Sequence, residues 1–306
     1  DRIPPGAHLF AGILVAISGA VSGIFVVIAN AWMNSPTGFE LVNGQITNID
    51  PVAAIFNPAS FQQALHMTLA AYAATGFAVA GIHALLLLRD PLNSFHRKAL
   101  GIALLVGAPA ALLQPLSGDL SAKNIAEYQP AKLAAMESLF ETQARAPLLL
   151  GGLPDPDTRT VRWGIEIPGA LSFLAHGDFD AEVTGLDRFP REEWPNVPVV
   201  HLAFQVMVGL GSLMALVALW AVFKVVRRHE LAMSRRFLMA VAACTPLGFI
   251  AIEAGWIVTE VGRQPWIIHG VMKTADAVTP MPGLAYTFAG FTALYIFLGV
   301  VVSWLL

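Results

Sequence analysis

Six apolar runs partition this chain: residues 8–32, 61–88, 99–115, 197–226, 237–260 and 284–306. A bilayer crossing needs about 20 residues. A backbone in lipid must satisfy its own polar groups, so such runs fold as helices. With 56% of residues hydrophobic and only 13% charged, a water-soluble fold is excluded. The expected architecture is all-α, a polytopic membrane helix bundle of about six transmembrane helices with one large extracytoplasmic loop region.

Three units follow. Residues 1–115 hold the first three helices, 116–196 form the polar loop, and 197–306 hold the last three. The third run is short and ends at Pro115. Within the loop, residues 130–143 read as a short amphipathic helix opened by Pro130, and Asp155-Pro156-Asp157 reads as a turn. The chain opens without Met or signal peptide and stops inside an apolar run, as expected of a fragment of a longer protein. Cys244, the one cysteine, lies in an apolar run, so neither a disulfide framework nor a thiolate metal site is expected.

Charge sets the orientation. Residues 89–98 carry Arg89, Arg97 and Lys98, and residues 224–236 carry Lys224, Arg227, Arg228, Arg235 and Arg236, whereas residues 33–60 carry no Lys or Arg. The positive-inside rule places the first two segments in the cytoplasm. Residues 33–60, 116–196 and 262–283 then lie outside.

Glu253 and Glu260 stand seven positions apart, almost two turns, on one helical stripe about 10 Å long. Trp256 and Ile257 lie between them. An acid inside a span is costly and marks a functional site. The run breaks at Gly262 and Pro265, where Arg263 and Trp266 meet the membrane surface; a capped helix end with an aromatic anchor accounts for that pair equally well. His66 lies about one turn inside the second run, His201 and Met207 lie in the first turns of the fourth, and Glu260 closes the fifth. Imidazole, thioether and carboxylate at one depth are the ligands of haem iron. Each also has a plainer use. A histidine in an apolar helix bonds a neighbouring helix, a methionine fills space, and His201 at the interface is open to water. His83 reads as structural, and His8, His96, His176, His229 and His269 as surface. Spacing alone leaves a membrane protein with a haem or ion site near its outer face.

Residues 253–266, E-A-G-W-I-V-T-E-V-G-R-Q-P-W, resemble the signature of subunit I of cytochrome bd-type quinol oxidases, and the G-R-Q-P-W core is specific to that family. The resemblance covers essentially the whole chain. N-A-W-M-N-S-P at 30–36 is similar to the family's N-G-W-M-x-N-P, with Ala31 for glycine and Ser35 for asparagine. Gly118-Asp119 and Q-P-A-K-L-A-A-M-E at 129–137 resemble the quinol-binding loop. A-F-Q-V-M-V-G at 203–209 resembles the segment that carries a methionine ligand.

The resemblance implies roles residue by residue. His66 and Met207 match the axial ligands of a low-spin haem b. Glu260 matches the carboxylate that ligates one of two high-spin haems, a haem b and a haem d (or a third haem b). Lys132 and Glu137 match residues of quinol binding and oxidation, with Gln129 and Asp119 as weaker matches. Arg263 suits haem propionates, and Trp256 matches a tryptophan beside the high-spin haems. Quinol is then oxidised at the outer face, and electrons pass through the haems to reduce O2 to water. The implied partners are an oxidase subunit II, a small accessory subunit, quinol, O2 and the lipid of a bacterial cytoplasmic membrane, with no nucleic acid.

Two departures stand out. Gln205 occupies a position where well-known members carry arginine, and the outer loop is short, as in the short-loop, cyanide-insensitive branch. Family members also have spans upstream of the first run here, with a second histidine ligand and proton-route acids. Two other classes fit the bare residues. A proton- or cation-coupled transporter would use Glu253 and Glu260 as relays, and a non-catalytic haem-binding membrane subunit would need only the ligands.

Overall fold

The computed structural model describes residues 3–228 and 234–305. His229 lies outside the described residues. Six helical segments are long and apolar enough to cross a membrane, matching the six runs. In order, the helices are α1 (Pro5–Asn34), α2 (Pro51–Ile55), α3 (Ser60–Arg89), α4 (Ser94–Tyr128), α5 (Pro130–Glu137), α6 (Ala170–His176), α7 (Val197–Arg228), α8 (Arg235–Ala243), α9 (Leu247–Val261) and α10 (Leu284–Leu305).

The third run does not end at Pro115. α4 continues through Pro109 and Pro115 to Tyr128. An interior proline removes a donor and crowds the preceding turn, at about 3 kcal/mol, but packing can hold the helix through it. Here α3 supplies that packing. Gly76 and Gly107 meet backbone to backbone, and a Cβ on Gly76 would lie 2.7 Å from the Gly107 nitrogen. Small residues at such contacts are how helices approach closely in a membrane. The fifth run is two helices, because Pro246 has no N–H to continue the ladder from α8 into α9.

α3 packs on α4, α8 and α9, and α7 packs on α4 and α9, so α3 and α7 stand at opposite corners of the bundle. Phe77, Leu87, Leu100, Phe237 and Val241 form its interior. α1 joins this bundle through its last turns, where Val27, Ala31 and Asn34 are buried. No residue of α10 is buried among those described.

A second core lies over the outer ends of α7 and α9, built from Leu133, Met136, Phe140, Leu171, Leu186 and Val200. Fully burying a side chain such as Leu186 is worth about 1.5–3 kcal/mol. α5 is shorter than the expected helix, because Ser138 turns left-handed at φ 54° and closes it. Around α5 and α6 run short antiparallel ladders, among them Leu148–Leu150 on Ile165–Ile167 and Leu153–Asp155 on Thr160–Arg162. The expected turn after Asp155 is present; its carboxylate accepts from the Asp157 and Thr158 amides and is held below the usual carboxylate range by those bonds and the Thr158 side chain.

Candidate functional site

The outer ends of α1, α5 and α9 converge, and a chain of side-chain hydrogen bonds runs through them. Lys132 Nζ donates to Asn34 Oδ1 at 2.8 Å. Asn34 Nδ2 donates to Asn30 Oδ1 at 3.0 Å. Asn30 Nδ2 donates to Glu260 Oε1 at 2.6 Å, and Arg263 donates to Glu260 Oε2 at 2.6 Å. Three of these residues come from places the sequence singled out. Asn30 and Asn34 stand out in the sequence only as part of the 30–36 motif, where the signal is two amides about one turn apart at the end of an apolar run.

Lys132 and Arg263 line a cleft of about 260 Å³ with Gln129, Glu193, Trp266 and His269. Gly262 lets the two cations sit so close. A Cβ there would meet the Val258 carbonyl and come within 3.1 Å of the Lys132 stem. Burial, with the Arg263 charge beside it and Glu260 opposing, lowers the Lys132 ammonium to about 7. Burial likewise lowers the Arg263 guanidinium despite Glu260. His269, expected at the surface, lines the cleft instead, and burial and the Lys132 charge lower it.

Glu137 does not open onto this cleft. It lies five residues beyond Lys132, about 140° around the helix, and is buried under the outer core. Burial raises its carboxyl to about 7, against a hydrogen bond from the Leu149 backbone. Its Oε2 has no partner among the described residues. Asp119 is apart from both. It sits on α4 rather than in a loop, and pairs with Lys123 at 2.6 Å.

His66 faces α4. Its Nδ1 is 2.9 Å from Ser117 Oγ, and that hydroxyl gives its own proton to the Gln114 carbonyl. Ser117 therefore takes the Nδ1 proton, and Nε2 carries the lone pair, met at 3.1 Å by the Gln114 amide. An orienting acceptor on one ring nitrogen is the usual companion of a metal-binding histidine. Met207 faces α9, its sulfur lying 3.1 Å from where a Cβ on Gly255 would be. His66 is about 9 Å below the start of α3 and Met207 about 15 Å below that of α7.

Glu260 is half-exposed, whereas the Arg263 side chain is 3% exposed. Arg263 Nε and Nη1 are buried without partners among the described residues. Two orphaned guanidinium donors fit an anionic group such as a propionate. Trp256 lies one turn before Glu260, and Glu253 is exposed on the same helix. His201, open to water on the sequence reading, is fully buried; its two ring nitrogens face two backbone carbonyls, and a neutral ring donates to one of them.

Residues 1–306 match the family model for cytochrome bd terminal oxidase subunit I. A Bacillus subtilis (strain 168) protein provisionally named a cytochrome bd menaquinol oxidase subunit I is 41% identical over 313 positions, covering 100% of this chain and 70% of that one. The cytochrome bd ubiquinol oxidase subunit 1 of the same strain is 33% identical, covering 100% and 68%. The solved bd oxidase of Geobacillus thermodenitrificans superposes with a TM-score of 0.87 at 42% identity, over 98% of this chain and 69% of that one. These likenesses do not favour the transporter reading, and they mark a haem-containing, multi-pass membrane protein. The chain belongs to the cytochrome bd terminal oxidase subunit I family.

Proposed function

We propose that this chain is the quinol-oxidising subunit of a terminal oxidase in a bacterial cytoplasmic membrane, working with a subunit II. The observation that carries this reading is α5. One short helix at the outer face buries both a lysine and a glutamate, each brought to about 7. Glu137 has a free carboxyl oxygen, and a base poised near neutrality suits removal of a quinol proton. Lys132 and Gln129 line the cleft as donors to a quinol oxygen, and Glu137, on the buried side of the same helix, would receive the proton by relay and not by direct contact.

His66 Nε2 and the Met207 thioether would hold a low-spin haem b, Glu260 a high-spin haem, and Arg263 a propionate. Haem, when bound, supplies one-electron carriage and oxygen activation. The protein's part is to fix the imidazole tautomer through Ser117, to orient the Glu260 carboxylate between Asn30 and Arg263, and to take the quinol proton at Glu137. Release of that proton outward, with protons for water taken from inside, charges the membrane without a pump.

The test uses the purified full-length complex. Reduced b- and d-type absorbance bands with quinol-dependent oxygen uptake support the reading. Glu137→Gln should abolish most uptake while dithionite still reduces the haems. A colourless complex, or full quinol oxidation by Glu137→Gln, overturns it.

A further inference from the structure

We propose that His201 is a positioning residue for Glu137, acting with Gln205 one turn further along α7. This rests on the reading of Glu137 as the quinol base. His201 is one of the largest fully buried side chains, and it is polar. A buried imidazole needs partners. It lies between two carbonyls of different segments, Nδ1 2.8 Å from the Met136 oxygen and Nε2 3.0 Å from the Gly151 oxygen; the neutral ring donates to one, and the Nδ1–H tautomer serves the shorter contact, to Met136.

Both contacts bear on Glu137. Met136 is its neighbour at the C-terminal end of α5, where the last carbonyls have no partner within the helix. The Ala134 and Ala135 carbonyls are taken by the Ser138 amide; Met136 is taken by His201. The second segment, residues 148–152, carries the Leu149 backbone, which lies near enough to the Glu137 carboxyl to oppose the effect of its burial. Gln205 grips that segment from both sides of one peptide stretch. Its Nε2 donates to the Leu149 carbonyl at 2.9 Å, and its Oε1 accepts from the Gly151 amide at 2.9 Å. Gly151 reaches both side chains because it turns left-handed, at φ 67°, a conformation open to glycine without strain.

The backbone before Glu137 and the Leu149 backbone near its carboxyl are thus pinned to the same face of α7. Loss of the clamp frees the carboxyl to swing without removing it. Small misplacements of a reacting group are expensive in rate, whereas substrate affinity set by Lys132 and the cleft is untouched.

The test compares the full-length complexes of wild type, His201→Leu, His201→Gln and Glu137→Gln. His201→Leu should lower kcat for quinol oxidation about tenfold with KM unchanged, keep the dithionite-reduced haem spectrum, and speed hydrogen exchange at the Leu149 and Gly151 amides. His201→Gln, which keeps a donor on a more flexible side chain, should fall between. Wild-type kcat and exchange in His201→Leu overturn the inference, and with Glu137→Gln inactive the function reading still stands. An active Glu137→Gln instead overturns that reading. If His201→Leu fails to assemble, His201→Gln decides: a lowered kcat at constant KM supports the clamp, and wild-type values overturn it.

Discussion

Asn30 donates its side-chain amide to the Glu260 carboxylate at 2.6 Å, across 230 positions of sequence. With Arg263 on the other oxygen, it fixes the carboxylate plane. Such partners of a metal-binding group typically matter about 10–100-fold in affinity. Asn30→Leu should therefore reduce high-spin haem content, read as loss of the corresponding absorbance per mole of protein, and leave the low-spin band in place. An unchanged spectrum would separate Asn30 from the haem site.

The two buried groups of α5 set a pH profile. Glu137, as the proposed base, would have to be ionised, so quinol oxidation should rise through about pH 7. Lys132 donates only when protonated, so the rate should fall above about pH 7. A narrow bell results. Stability moves in the opposite sense. The folded protein holds the Glu137 proton from the ordinary 4.5 up to about 7, so this group's contribution falls as pH rises across that window. The unfolded chain holds the Lys132 proton from about 7 up to 10.5, so its contribution rises there. Glu137→Gln should remove the first slope in a thermal-denaturation series across pH 4.5–7 and spare the second.

Met207 lies against Gly255, its sulfur 3.1 Å from where a Cβ on that glycine would be. Leucine is close in volume, and such exchanges usually cost under about 1.5 kcal/mol. Met207→Leu should keep the fold and abolish the low-spin b signal. Ser117→Ala should keep the iron bound but alter that signal, because the His66 tautomer loses its acceptor. A wild-type spectrum in Met207→Leu would remove Met207 from the ligand set.

The six spans were legible because apolar length alone decides what crosses a bilayer. The end of α4 was not. Pro115 looks like a stop in sequence, but the Gly76–Gly107 contact before it and the bonds from Gln114, Ser117 and Asn124 to His66 and Pro58 around and beyond it hold the helix on to Tyr128. That continuation also moved Asp119 away from the cleft. The split between α8 and α9 was hidden in one apolar run. At the site, Glu260, Arg263 and Lys132 announced themselves as charges where charge is costly, whereas Asn30 and Asn34 became visible only once α1 was packed beside α9 and α5. His201 was misjudged because depth along a helix does not reveal the loop that covers it.

Gly76 on α3 and Gly107 on α4 carry the contact on which α4's path depends. Any Cβ at Gly76 would lie 2.7 Å from the Gly107 nitrogen and 3.0 Å from the Ala103 oxygen, both backbone atoms that cannot step aside. Gly76→Ala must push the helices apart, and overpacking of this kind costs about 1–3 kcal/mol. α4 also presents Gln114 and Ser117 to His66, so the shift reaches that imidazole. Gly76→Ala should lower the thermal midpoint of the complex and disturb the low-spin b band together. By contrast Gly101→Ala, on α4 with open space around it, should leave both unchanged. A Gly76→Ala complex with wild-type midpoint and spectrum would mean that the two helices do not meet at this pair.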